Sequence, residues 1–498
     1  MCMICVSVAT VASLISPSEV PVLQNNITDY SITKQACPKS KLNKVENNRI
    51  CLKDGKVYRW ATKKPIPVLT PTPTPTPTTT SIPNNTVESK KNESENSLIY
   101  TVPSELNDDI ETCKIKEVKQ QGPRNGSIPG GGSTPLPSGF PRLTPSTQHI
   151  GMVKWALIPI DFSDLKGESN FRSRVDSQME FLTDWYFTVS EGKFKIDWSV
   201  HNNWVTLPKP SSQYTVKSSV NLGDSETGQA LFRDAIASSD PVFDFTNIQY
   251  VIFLLPKGQT FLEQTSQGFP WDKLVIDTKT NEGKISGFAI PGFFMDYPGK
   301  QYWSYWAHEF GHAISLSHVG ASRGGFPPFN AWDVMGSQDA TTKELSGWLR
   351  WLSGWMSDEQ VYCKNASNIN NSLSATLIPL SENKKGIKLI VIPISNTKAV
   401  LVESRRETKF SCTTKKPRNG ILVYLYDANL SHGENFLVPL YNLRTNREFD
   451  SCSSLTPTQL PQTVDVIMYE GETLTYAGIT IKVEKSSNLD KITIKKQS

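Results

Sequence analysis

The sequence predicts an α+β chain. It reads as a twisted sheet with one histidine-bearing helix, then an all-β C-terminal region, preceded by a small Cys-paired N-terminal module on a Pro/Thr linker. Three patterns carry this reading. Between residues 152 and 256, apolar runs typical of buried strands alternate with stretches of helical period, in the order strand, helix, strand, helix, strand. Beyond Trp355 only short apolar runs follow, split by Asn, Gly, Asp and Pro, which is the signature of β-structure. Before residue 150 the chain is rich in Pro, Thr, Asn, Ser and Gly and poor in periodicity.

At 498 residues the chain exceeds one ordinary domain, and its 38% hydrophobic content suffices for a sizeable core. The formal net charge of +4 is small for this length. It offers no electrostatic case for a nucleic-acid partner or an anionic membrane surface. The opening run "MCMICVSVATVASLIS" is too short to span a bilayer and long enough for a signal-peptide core, although no Lys or Arg precedes it. Residues 1–18 are read as that segment, and no later run reaches spanning length. Its removal leaves Cys37, Cys51, Cys113, Cys363, Cys412 and Cys452. An even set in an exported chain predicts disulfides, with the pairing open.

In chain order, residues 31–64 form the small module, bracketed by Cys37 and Cys51 and containing a strand pair that ends at Trp60. "TPTPTPTPTTT", residues 70–80, favours extended polyproline II, a semi-rigid spacer. The whole of 65–150 reads as linker or pro-region. A folded domain is expected over 151–356. It begins with the buried strand "VKWALIPIDFSD", followed by a helix over about 170–189, where Phe171, Val175, Met179, Leu182, Tyr186 and Val189 recur at three- and four-residue steps before Gly192. "KFKIDWSV" alternates like a strand, "ALFRDAIASSD" is helical, and "IQYVIFLLP" is a fully buried strand. A β-rich domain over 357–498 completes the chain, with "LIPLS", "IKLIVIPIS", "AVLVESR", "GILVYLYD" and "ETLTYAGITIKVEKS" as its strands.

The chemistry concentrates in "WAHEFGHAISLSHVG", which holds three of the six histidines. On a helix, His308 and His312 lie four residues apart and share a face, with Glu309 beside the first. This H-E-x-x-H arrangement can hold Zn²⁺ through two nitrogens while the carboxylate reaches a water at the ion. A straight helix would carry His318 about 15 Å beyond His308. Ligation of the same ion therefore requires the chain to leave the helix near Ser315 and fold back. Three protein ligands with one open position match a catalytic zinc site. Met335, followed by Gly336 in "AWDVMGS", stands where the metzincins place a methionine turn as an apolar floor beneath the histidine rings. Ser315 occupies the position that is glycine in H-E-x-x-H-x-x-G-x-x-H. Glycine permits the left-handed turn that ends the helix and serine adopts it at a cost, with Ser317 as the other place for the turn.

Taken together, "AHEFGHAISLSH", "WDVMG" and "ELSGWLRWLSGW" resemble the immune-inhibitor-A-like secreted metallopeptidases of bacteria, a metzincin-type family. Ser346, Trp348, Gly354 and Trp355 match its Ser-x-Trp segment and closing Gly-Trp pair, and Glu403 with Arg405 matches its Glu-x-Arg. That family often uses aspartate as third ligand, where this chain has His318. The resemblance implies a metzincin-like zinc peptidase domain and a secreted or cell-surface endopeptidase. His308, His312 and His318 would bind one catalytic Zn²⁺, Glu309 would act as general base, and Met335 would form the structural Met-turn. Protein or peptide substrates and a monomeric state are expected, with no nucleic acid and no membrane span. The alternative is a catalytically inactive or cell-wall-directed zinc-binding surface protein. Glu403 and Arg405 are read as a structural ion pair, while Asp161, Asp164 and Asp333 offer carboxylates for Ca²⁺ without a pattern that assigns it. Cys113 is expected to pair with Cys363, Cys412 or Cys452. The competing reading has its thiolate fill the open zinc position.

Overall fold

The structure is a computed structural model describing residues 30–36, 38, 45–46, 49–54, 57–63, 103, 105–118, 136–141, 147–214, 226–262, 266–268, 273–292, 302–320, 329, 332–337, 342–412, 418–440, 444–445 and 464–497. The signal-like segment, the Pro/Thr spacer and the pairing of Cys37 with Cys51 lie outside these residues. The chain divides into two units, Met1–Glu95 and Asn96–Ser498. In the first, β1 (Tyr30–Ala36), β2 (Val45–Glu46), β3 (Arg49–Asp54) and β4 (Val57–Lys63) form an antiparallel sheet in the order β1-β4-β3-β2. The expected strand pair is thus two strands of four.

The second unit starts from β5 (Gly151–Asp161), whose side chains alternate between two cores. Val153, Trp155 and Leu157 enter one, while Ala156, Ile158 and Ile160 enter the other. That alternation is what a pleated strand covered on both faces produces. Its neighbours are β6 (Phe194–Val200), β7 (Val205–Thr206), β8 (Ile248–Leu254), β9 (Ser266–Gly268) and, after the short α3 (Lys273–Asp277), β10 (Gly287–Ile290). The sheet order is β6-β5-β8-β10-β9, with β7 beside β5. All pairings are parallel except that of β9, the antiparallel edge. On one face lies α2 (Glu226–Ser239), burying Leu231, Phe232, Ala235 and Ile236. On the other lie α1 (Arg172–Val189) and α4 (Tyr302–Ala313). Helix α1 buries Val175, Met179, Leu182, Trp185, Tyr186 and Val189, the stripe its spacing dictates. It fixes α4 by polar contacts as well: the Tyr186 hydroxyl donates to the Ala307 carbonyl (2.8 Å) and the Trp303 N–H to Gln178 Oε1 (3.2 Å).

After α5 (Gly347–Leu352) the regular structure among the described residues is β, apart from two single turns of 3-10 helix at Asp358–Gln360 and Ala366–Asn368. One sheet holds β11 (Val361–Cys363), β13 (Leu389–Ser395), β14 (Lys398–Arg405), β15 (Gly420–Asp427), β16 (Leu437–Pro439) and β19 (Ile467–Met468). A second holds β12 (Ser372–Leu377), β20 (Thr473–Tyr476), β21 (Ile479–Ser486) and β22 (Asp490–Lys496), and β17 (Arg444–Thr445) pairs with β18 (Val464–Asp465). Of "LIPLS", only Leu377 is strand. Ile390, Ile392, Val400 and Val402 pack against Ile481, Val483, Ile492 and Ile494 of the second sheet. The opposite face of the first sheet, through Leu389, Val391, Leu401, Leu422, Tyr424 and Tyr426, joins the core built on α1 and α4. One continuous core therefore crosses the expected boundary at 356/357.

The stretch expected as linker also enters this core. Cys113 and Ile115 are buried, and Cys113 is disulfide-bonded to Cys363 on β11. That bond excludes the thiolate reading of Cys113; Cys412 is disulfide-bonded as well. Phe140 packs edge-on against Trp348 and Trp351, at 5.5 and 4.7 Å between ring centroids. Gly139 has no room for a side chain, since a Cβ there would sit 2.1 Å from the Tyr426 hydroxyl. Polar and small residues made 105–118 and 136–141 resemble linker, but at Gly139 the close fit depends on that smallness. The Cys113–Cys363 bond spans 250 residues. Replacing both cysteines with alanine should lower unfolding free energy by several kcal/mol, with about 5 kcal/mol as the chain-entropy limit. Urea titration of the oxidised proteins reads this directly; an unchanged midpoint would mean that packing around Ile115 and Phe140 alone secures the segment.

Candidate metal centre

Helix α4 is almost wholly buried, and His308 and His312 project from it side by side, their ring centroids 4.9 Å apart. Both rings are oriented by carbonyl groups. His308 Nδ1 lies 2.6 Å from the Val334 carbonyl and His312 Nδ1 lies 2.9 Å from the Leu316 carbonyl. A carbonyl only accepts, so each Nδ1 carries the proton and each Nε2 turns a lone pair outward. Burial first, with His308 beside it, pushes the His312 pKa down to about 4, so this ring is neutral at neutral pH.

The third imidazole arrives by a sharp reversal. Ile314 N–H bonds to Phe310, Ser315 N–H to the His312 carbonyl (2.8 Å) and Leu316 N–H to the Gly311 carbonyl (2.9 Å). This is a Schellman end, and its left-handed residue is Ser315, with φ of 69°. The turn falls at the glycine position of the motif and not at Ser317. Reversal returns His318 to the helix, its Nε2 at 2.9 Å from the Nε2 atoms of both His308 and His312. Neither helix nitrogen has a proton to donate, and His318 Nε2 can donate to one of them at most. The trio thus presents more converging lone pairs than protons, a set that a cation resolves. Among the described residues, this is the group of three or more His, Cys, Asp or Glu side chains close enough to hold one metal ion.

Glu309 is partly exposed on the same helix. Its charge acts on both His312 and the buried Tyr250, raising the pKa of each against or along with burial. Met335 is fully buried beneath the helix, where a Cβ on Gly311 would meet its sulfur at 2.5 Å. The turn that carries Met335 also supplies the Val334 carbonyl to His308, and its Met335 carbonyl accepts from Val319 N–H (3.3 Å). Asp333 anchors this turn, taking Met335 N–H at 2.7 Å and Ser346 N–H at 2.8 Å. Burial lifts its carboxyl to about 6 despite these donors and Arg405. Asp161 instead accepts from the Thr206 hydroxyl (2.6 Å) and Gly167 N–H (3.2 Å), and Asp164 from Ser211 (2.7 and 3.0 Å). Glu403 and Arg405 form a fully buried ion pair. Glu403 also accepts from Gly347 N–H and the Tyr424 hydroxyl, and Arg405 donates to the Trp332 carbonyl.

A fourth histidine joins the site, which the sequence reading missed. His432, on the turn after β15, stacks on His318 with centroids 4.7 Å apart and planes at 22°. Its Nδ1 accepts the His318 backbone N–H at 3.0 Å. The signal available was scarcity: with six histidines in 498 residues, one in a turn between strands is a candidate.

No protein-family model matches this sequence, and no curated protein matches it. Among solved structures the chain aligns with wild-type OgpA from Akkermansia muciniphila at 10% identity. The alignment covers 64% of this chain and 99% of that one, with a TM-score of 0.25. Catalytically inactive OgpA in complex with an O-glycopeptide (glycodrosocin) substrate aligns at 10% identity, over 72% of this chain and 97% of that one, at 0.26.

The left-handed Ser315 makes a direct prediction. Glycine there should relieve about 1–2 kcal/mol of backbone strain, against up to about 1 kcal/mol of extra chain entropy in the unfolded state. Ser315→Gly should therefore raise the denaturant midpoint slightly. A lowered midpoint would assign the buried Ser315 hydroxyl a stabilising contact larger than the strain.

Proposed function

We propose that this chain is a secreted zinc-dependent endopeptidase. The observation that carries the reading is the convergence of three imidazole Nε2 atoms, two of them on rings fixed by Nδ1–carbonyl bonds, beside a partly exposed carboxylate on the same helix. Neutral imidazoles with engaged outer nitrogens are the donor set that zinc takes. Tetrahedral zinc with about 2.0–2.1 Å bonds sets its nitrogen ligands about 3.3 Å apart. His318 Nε2 lies 2.9 Å from each of the other two, and the three ligand atoms lie within 4.8 Å of one another, a spacing that fits with a small outward motion of His318.

His308, His312 and His318 would hold the ion, and Met335 with Val334 would support the helix beneath it. When bound, zinc supplies Lewis acidity, lowering the pKa of water towards 7 and stabilising negative charge on a carbonyl oxygen. Glu309 accepts the proton of the attacking water and returns it to the leaving amine nitrogen, which needs a carboxylate open to the cleft and close to the ligands. Its partial exposure and its charge on His312 agree with that role. Extended peptides would be taken as an added strand, for which antiparallel β9 offers a sheet edge. The disulfide between Cys113 and Cys363 supports an oxidising compartment. No helix among the described residues is long and apolar enough to cross a membrane.

Purified protein should hold about one zinc per chain, read by elemental analysis, and zymography should show a chelator-sensitive band. Glu309→Gln should keep the zinc and lose hydrolysis by about two to four orders of magnitude. Stoichiometric zinc after joint replacement of His308 and His312 with alanine, or full turnover by Glu309→Gln, would overturn the reading.

A further inference from the structure

His318 differs from the other two imidazoles in how it is held. His308 and His312 sit on a rigid helix, whereas His318 lies three residues past a left-handed turn, in a segment without regular structure. Both of its backbone polar groups are bonded by one distant turn. The His318 N–H donates to His432 Nδ1 at 3.0 Å, and the His318 carbonyl accepts from Gly433 N–H at 3.1 Å. Over these bonds the His432 ring lies nearly parallel to the His318 ring, centroids 4.7 Å apart, and its centroid is 5.9 Å from that of His312. Because Nδ1 of His432 accepts a backbone N–H, its proton resides on Nε2. The turn is itself braced, as Ser431 N–H and hydroxyl both bond to Glu434 at 2.9 Å and Asp427 N–H bonds to the Phe436 carbonyl at 3.0 Å.

We propose that His432 is the positioning residue of the third metal ligand. It fixes the height of the His318 backbone through Nδ1 and the plane of the His318 ring through its own face. Here the C-terminal β-region orients His318 through its backbone and its ring face. The site is thereby assembled from two parts of the chain, 114 residues apart. This inference rests on the metal-binding reading above, and its test separates the two.

Zinc affinity is measured on the full-length protein by competition with a chromogenic chelator, and the visible spectrum is recorded for the cobalt-loaded protein. His432→Ala should weaken zinc binding about 10- to 100-fold, the range for loss of an orienting partner, and shift the cobalt bands. His432→Asn, which keeps a side-chain acceptor, should recover part of the affinity. His432→Phe, which keeps a flat ring, should retain the cobalt band shape better than alanine does. Wild-type affinity and an unchanged cobalt spectrum in the alanine and phenylalanine variants would overturn the positioning role while leaving the zinc site standing. Equal losses in all three variants would overturn it too, by showing that any change at 432 simply disturbs the turn. Wild-type protein that takes up neither ion would remove the metal reading itself.

Discussion

The site depends on the reversal of the chain at Ser315. A helix alone can bring two imidazoles to one point, and it carries any third away along its axis. The left-handed residue turns the chain back and at the same time presents the Leu316 carbonyl that orients His312. One backbone feature therefore both delivers the third nitrogen and aligns the second. A reversal this tight satisfies few of its own polar groups, and residues 315–319 draw on remote segments instead. The Ser317 hydroxyl bonds to the Leu136 and Pro137 carbonyls, Val319 to Met335, and His318 to the turn at 432–433.

The same need explains the buried charges nearby. Residues 332–335 and 343–346, between α4 and α5, form neither helix nor strand, yet they lie in the core. Their N–H groups require acceptors that no ladder supplies. Asp333 serves Met335 and Ser346, and Glu403 serves Gly347 at the start of α5. Arg405 pairs with Glu403 and Arg350 with the buried Glu344, and the two guanidinium groups bond the Trp332, Leu345 and Leu380 carbonyls. Buried ion pairs give little net stability in themselves, but losing one partner of such a pair is costly, about 3–5 kcal/mol. Here they let an irregular segment run through an apolar interior, with Met335 pinned under Gly311.

Local chemistry was legible in the sequence because period and spacing are local. The stripe of α1, the buried apolar run of β5, the alternation of β6 and the four-residue step from His308 to His312 each follow from a single element's geometry. Ser315 was half legible: the missing glycine marked the problem, but the choice between 315 and 317 depends on contacts with Leu136 and Pro137 far away. His432 and the 105–118 and 136–141 segments were not legible, since none has a period of its own and their partners are distant: His318 for His432, and β11, β15 and α5 for the two segments. The core shared across 356/357 was not legible for a related reason. A strand buried on both faces reads as a continuous apolar run, whether it belongs to one core or links two.

The bond between Cys113 and Cys363 makes residues 113 to 363 a covalent ring. His308, Glu309, His312, His318 and Met335 all belong to it, while Glu403, Arg405 and His432 lie on the tail beyond. A cut anywhere in the ring leaves two pieces still joined, visible as fragments only after reduction. During synthesis the ring can close once residue 363 has emerged, before the tail that braces the site exists. A nascent chain of between 363 and 431 residues thus carries every histidine of the trio without the imidazole that faces His318, so completion of the site waits on the turn at 432.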